Sequence, residues 1–152
     1  MAPNRSLRAT VGALLLALCA APTDVRAQTP PPTPVPEVQA LLDPARKALA
    51  DGDTTAARAG FEKALARARA LGDRRGEAAS ALGLGAALAN AGRHREAQEH
   101  FDRVLPLFRE LGDRKGEART LENLGVVHFS TGRLPQALEY TRQAIDRYHD
   151  LG

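Results

Sequence analysis

The chain has 152 residues, of which 43% are hydrophobic, 26% charged and only 4% aromatic, with no Trp. One domain suits that length, and the wealth of Ala, Leu, Arg and Glu argues for helices and against a β-rich fold. The formal charge of +3 does not point to nucleic acid, because removing residues 1–27 takes away Arg5, Arg8, Arg26 and Asp24 and leaves +1, with Arg alternating with Asp and Glu along the remainder.

Residues 1–27 have the three parts of an export signal. Arg5 and Arg8 come first, the apolar run Val11–Ala21 follows, and Val25, Arg26 and Ala27 form a small-x-small cleavage site. We expect cleavage after Ala27 and a periplasmic or secreted product. The apolar run is about half of the roughly 20 residues that a helix needs to cross a bilayer, so no stable membrane span is expected after cleavage. Cys19, the single cysteine, lies inside this segment. It follows the bulky Leu18, whereas a lipidated cysteine wants a small residue before it. The mature body then has no thiol for disulfides or thiol catalysis.

Residues 28–36 form a Pro-rich linker, with five prolines between Thr29 and Pro36. Proline has a fixed φ and no amide hydrogen, so an extended spacer is expected there.

From about Ala45 the sequence repeats with a period of 40. Leu71-Gly72-Asp73 recurs as Leu111-Gly112-Asp113 and again as the terminal Leu151-Gly152. Gly52, Gly92 and Gly132 form one column, Ala57, Ala97 and Ala137 another, and Leu65, Leu105 and Ile145 a third. Apolar spacings of three and four divide each period into two amphipathic helices. The glycine of each short turn stops a helix, and Asp73 and Asp113 are placed to cap the next one. The helices are therefore antiparallel neighbours, in a domain over 37–152 with units of about 37–72, 73–112 and 113–152.

Three prolines bear on the helices. Pro135 falls in a first turn, where a missing N–H does no harm. Pro106 lies inside a helical pattern, and a kink or broken bond is expected. Pro44-Ala45 interrupts the first unit, whose first helix is expected to be degraded or to begin late, with Asp43 as cap.

Leu124-Gly125 with Ala137 and Ala144, and Leu84-Gly85 with Ala97 and Phe101, resemble the tetratricopeptide repeat, with its Leu-Gly pair in the first helix and small residues in the second. The period is longer than the usual 34 and lies near that of HEAT and armadillo units. The Gly-Asp-x-x-Gly-Glu-Ala junction is similar to that of the 40-residue branch of the tetratricopeptide family. The resemblance covers residues 37–152 and implies an all-α, right-handed superhelical stack of antiparallel hairpins. It also implies a non-enzymatic scaffold that binds a protein or peptide in a groove lined by first helices.

By that resemblance the groove positions are Arg119, Glu122, Asn123, Val126 and Ser130 in the third unit. In the second they are Ala79, Leu82, Gly83, Ala86 and Asn90. Asn123 either pairs with a partner's backbone or bonds within its own hairpin. The alternative is that the chain is a truncated regulatory arm of a larger enzyme, similar to the repeat arrays of CHAT-domain peptidase-like proteins.

No catalytic, cofactor or metal site is expected. His94, His100, His128 and His149 are not paired at ligand spacing, and His128 reads as a packed core residue. The final helix lacks a polar cap, so Leu138, Ile145 and Tyr148 are expected to be partly exposed. Truncation and self-association through that helix both account for this.

Overall fold

The computed structural model describes residues 33–152. The signal segment and most of the Pro-rich linker lie outside them. The described chain forms six helices and no strand: α1 Pro36–Ala50, α2 Thr54–Leu71, α3 Arg74–Asn90, α4 His94–Glu110, α5 Arg114–Ser130 and α6 Leu134–His149. Each helix packs on the next, making three hairpins, and α1 also touches α3, as α3 touches α5. No such contact joins α2 to α4 or α4 to α6. The first helices are thus a close inner row and the second helices a spread outer row, which is the all-α solenoid expected.

The turn chemistry explains the regularity. Between hairpins, Gly72 and Gly112 take φ of 65° and 64°, a left-handed conformation that an added Cβ would strain. The following aspartates then accept from amides that have no partner within the helix. Asp73 accepts from the Gly76 amide at 2.9 Å and Asp113 from the Gly116 amide at 2.8 Å. Asp53 does the same for α2, from Ala56 at 2.9 Å.

One proline expectation is corrected, and at the other the break is confined to a single bond. Helix α1 is neither late nor degraded, since it starts at Pro36 and runs through Pro44 to Ala50. Asp43 is not its cap and instead binds the side chains of Gln39 and Arg46. Helix α4 likewise continues through Pro106. In both helices proline removes one backbone bond, but both ring positions are exposed, so water can satisfy the freed carbonyl. Burial of Val38, Leu42 and Ala45 on one side, and of Phe101, Val104 and Phe108 on the other, outweighs the local defect.

Small residues let the hairpins interlock. Gly83 faces the ring of Phe61 in the preceding hairpin, and Gly116 faces that of Phe108. The buried hydroxyls of Ser80 and Thr120 return to the Gly76 and Gly116 carbonyls at 2.7 Å each, so neither is left unpaired. Ion pairs also repeat across the junctions, Arg69 with Glu77 at 3.0 Å and Arg109 with Glu117 at 2.9 Å.

Candidate protein-binding surfaces

Helix α5 carries Arg119, Glu122, Val126 and Ser130 at spacings that put them on one side, and all four are exposed. Arg119 has no side-chain hydrogen bond or ion pair among the described residues. Glu122 is partly engaged, because it accepts from the Tyr148 hydroxyl at 2.8 Å. Burial and this acidic partner push the Tyr148 phenol up to about 12.

Asn123 is half-buried. Its amide nitrogen donates to the Arg119 carbonyl at 2.7 Å, one turn back in the same helix. Its position corresponds to Gly83, the residue that meets Phe61, so Asn123 lies at the seam with the preceding hairpin. Its amide oxygen remains available as an acceptor.

In the second unit only Asn90 is fully exposed, while Ala79, Gly83 and Ala86 are half-buried. Leu82 is 5% exposed and belongs to the core, so it offers little to a partner. The cause is register. Leu82 corresponds to the fully buried Leu42 of α1, whereas the same column in α5 holds the exposed Glu122.

An apolar opening adjoins the last-helix face that the sequence marks as exposed, and Phe129 on its α5 side is not among the positions expected. Between α5 and α6 lies a cavity of about 400 Å³, lined by Gly125, Val126, Phe129, Leu134, Leu138 and Thr141. Phe129 is 67% and Leu138 72% exposed. Ile145 and Tyr148 are exposed as expected, and Val126 joins the groove stripe to this opening. The available signal was the comparison of columns 40 residues apart: Phe129 stands where α3 has Ala89, and Leu138 where α4 has Gln98.

His128 is a core residue. It is 4% exposed and stacks on Tyr140, with ring centroids 5.1 Å apart. Burial, followed by the charge of Arg133, lowers its basicity, against a smaller opposing effect of Asp102. Among the described residues no group of three His, Cys, Asp or Glu side chains is arranged to hold a metal. No described helix is long and apolar enough to cross a membrane.

A family model described as Tetratricopeptide repeat matches residues 47–110 and 77–150. No curated protein matches the sequence significantly. Among solved structures, the chain is similar to the crystal structure of the TPR domain of Arabidopsis FLU, at 25% identity and a TM-score of 0.69, over 75% of this chain and 96% of that one.

Proposed function

The chain belongs to the tetratricopeptide repeat family, and from that premise we propose that it is a non-catalytic scaffold whose inner row of first helices binds an extended protein segment. The fold itself supports a role in protein–protein interaction. The observation that carries the finer reading is the exposed α5 stripe of Arg119, Glu122, Val126 and Ser130, in which Arg119 is a cation without a partner among the described residues. An acidic group of the bound segment pairs with Arg119, a backbone amide donates to the Asn123 oxygen, and Val126 supplies an apolar contact. With three first helices, α1, α3 and α5, lining it, the groove is short and its affinity modest. Export, with cleavage after Ala27, places this scaffold outside the cytoplasm.

The experiment is capture of partners from an extract by the full chain and by Arg119→Glu and Asn123→Ala variants, with the bound proteins quantified by mass spectrometry. Arg119→Glu reverses the charge at an exposed position and should lower capture of the specific partners at least tenfold. Equal capture by wild type and both variants removes the α5 stripe from the function.

A further inference from the structure

We infer that the apolar opening between α5 and α6 is a self-association surface, which joins two copies of the chain tail to tail about a two-fold axis. This surface shares Val126 with the Arg119 stripe but centres on Phe129, Leu138 and Thr141, and the inference stands whether or not that stripe binds a segment.

The internal junctions show what such a surface does. The α1–α2 hairpin is covered by α3, and the α3–α4 hairpin by α5. The α5–α6 hairpin offers the corresponding side, but with changed chemistry. Its floor has Thr141 where α2 has Phe61 and α4 has Phe101, both of them buried rings. A hole of aromatic width is left beside Gly125. The rim changes in the opposite sense: Leu134 and Leu138 replace His94 and Gln98, and Phe129 replaces Ala89. A surface made to repeat the internal junction would keep the phenylalanine below and the small or polar rim above. This one has lost its own ring from the floor and carries an unpacked ring on the rim.

Those two features fit each other under two-fold symmetry. Phe129 of one copy enters the space over Thr141 of the second, and the second returns the same contact, as an isologous interface requires. No lining residue is charged, so copies meet without like-charge repulsion. Nearby, Arg142 is already paired with Glu139 and Asp146 of its own helix. Val126, Phe129, Leu134, Leu138 and Ile145 together expose on the order of 500 Å² of side chain per copy, and with a polar rim this approaches the ~800 Å² per partner of a standard interface.

Head-to-tail stacking is opposed by the other end of the array. The columns that face the preceding hairpin hold Gly83 and Ala87 in α3 and Asn123 and Val127 in α5, whereas α1 has Asp43 and Lys47 there. Both are exposed and occupied, Asp43 by Gln39 and Arg46 and Lys47 by Asp51. Seating them against an apolar groove would desolvate these exposed ion pairs, a cost that the apolar lining does not offset with any polar contact. Association therefore closes at two copies.

The test is sedimentation velocity of the purified full chain from about 1 to 100 µM, a range that brackets a modest dimer constant. Wild type should shift from monomer to dimer with rising concentration and go no further. Phe129→Ser removes the inserted ring at an exposed site, and Thr141→Phe restores the internal floor and closes the hole. Each should weaken dimerisation at least tenfold, with helical circular dichroism unchanged, whereas Lys47→Glu on α1 should leave it intact. A monomer throughout the range overturns the inference and leaves the opening to a helix of another protein. A dimer indifferent to both Phe129→Ser and Thr141→Phe overturns it as well. So does an open-ended series of sizes that Lys47→Glu abolishes, which would establish head-to-tail stacking.

Discussion

Gly85 on α3 and Phe101 on α4 approach so closely that a Cβ on Gly85 would stand 2.5 Å from the Phe101 ring. Phe101 is fully buried, so its ring has nowhere to retreat. Alanine at Gly85 would gain up to about 1 kcal/mol of helix propensity and lose about 1–3 kcal/mol to overpacking. Gly85→Ala should therefore lower stability by about 1–2 kcal/mol.

The matching glycine in α5 predicts the opposite outcome. A Cβ on Gly125 would meet only Thr141 Oγ1 closely, at 2.8 Å, with the next atoms at 3.5 Å. Thr141 is exposed and can rotate away. Gly125→Ala should be neutral or stabilising by up to about 1 kcal/mol. Urea denaturation of the two alanine variants beside wild type checks the pair, and equal losses would contradict the packing difference.

These two glycines show what could be read from the sequence and what could not. The period of 40, the helix boundaries at Leu-Gly-Asp and the aspartate caps are local signals, because turn and cap chemistry acts within a few residues. The openness of the last hairpin was also legible in Leu138, Ile145 and Tyr148. The unbroken path of α1 through Pro44 was not, because propensity is a local term and the burial of Val38, Leu42 and Ala45 depends on α2 and α3. Leu82 fails as a groove residue for the same reason, since its burial is set by neighbouring helices. The opening beside Phe129 required comparing the third unit with the filled junctions of the first two.

The prolines give a second prediction. Pro106 and Pro44 lie in helix interiors and are exposed, so alanine restores a backbone bond without disturbing the core. The full interior difference is about 3 kcal/mol, and part of it is returned because proline also stiffens the unfolded chain. Pro106→Ala and Pro44→Ala should each raise stability by about 1–2 kcal/mol in urea titration. No change, or a loss, would mean that the rings themselves pack usefully.

A third prediction concerns the N-terminus. If the first 27 residues direct export, the chain recovered from the periplasm or medium of a bacterial host begins at Gln28, as N-terminal sequencing would read directly. Replacing Ala27 with a bulky residue such as Trp should cause the uncleaved form to accumulate. A product that retains Met1 and stays in the cytoplasm would remove the export proposal.

Acid should weaken the fold through two buried groups, in separate pH ranges. His128 has its basicity lowered by burial and then by Arg133, so between its ordinary value of 6.5 and its lower folded value the unfolded chain binds more protons. Its contribution is fully present above about pH 6.5 and is lost as pH falls through the folded value. Glu117 behaves in the same direction at lower pH. Burial alone would raise its carboxyl, but hydrogen bonds from Arg109 and Arg147 hold it below the ordinary value of 4.5. Its contribution is present above about pH 4.5 and lost as pH falls further. His128→Phe keeps the stack on Tyr140 and removes the proton site, so stability measured between pH 7.5 and 5.5 should fall less in the variant than in wild type. A residual slope is expected from His100, which burial also makes less basic. Glu117→Gln should leave this upper range untouched and flatten only the fall below pH 4.5, which separates the two groups in one set of melting curves.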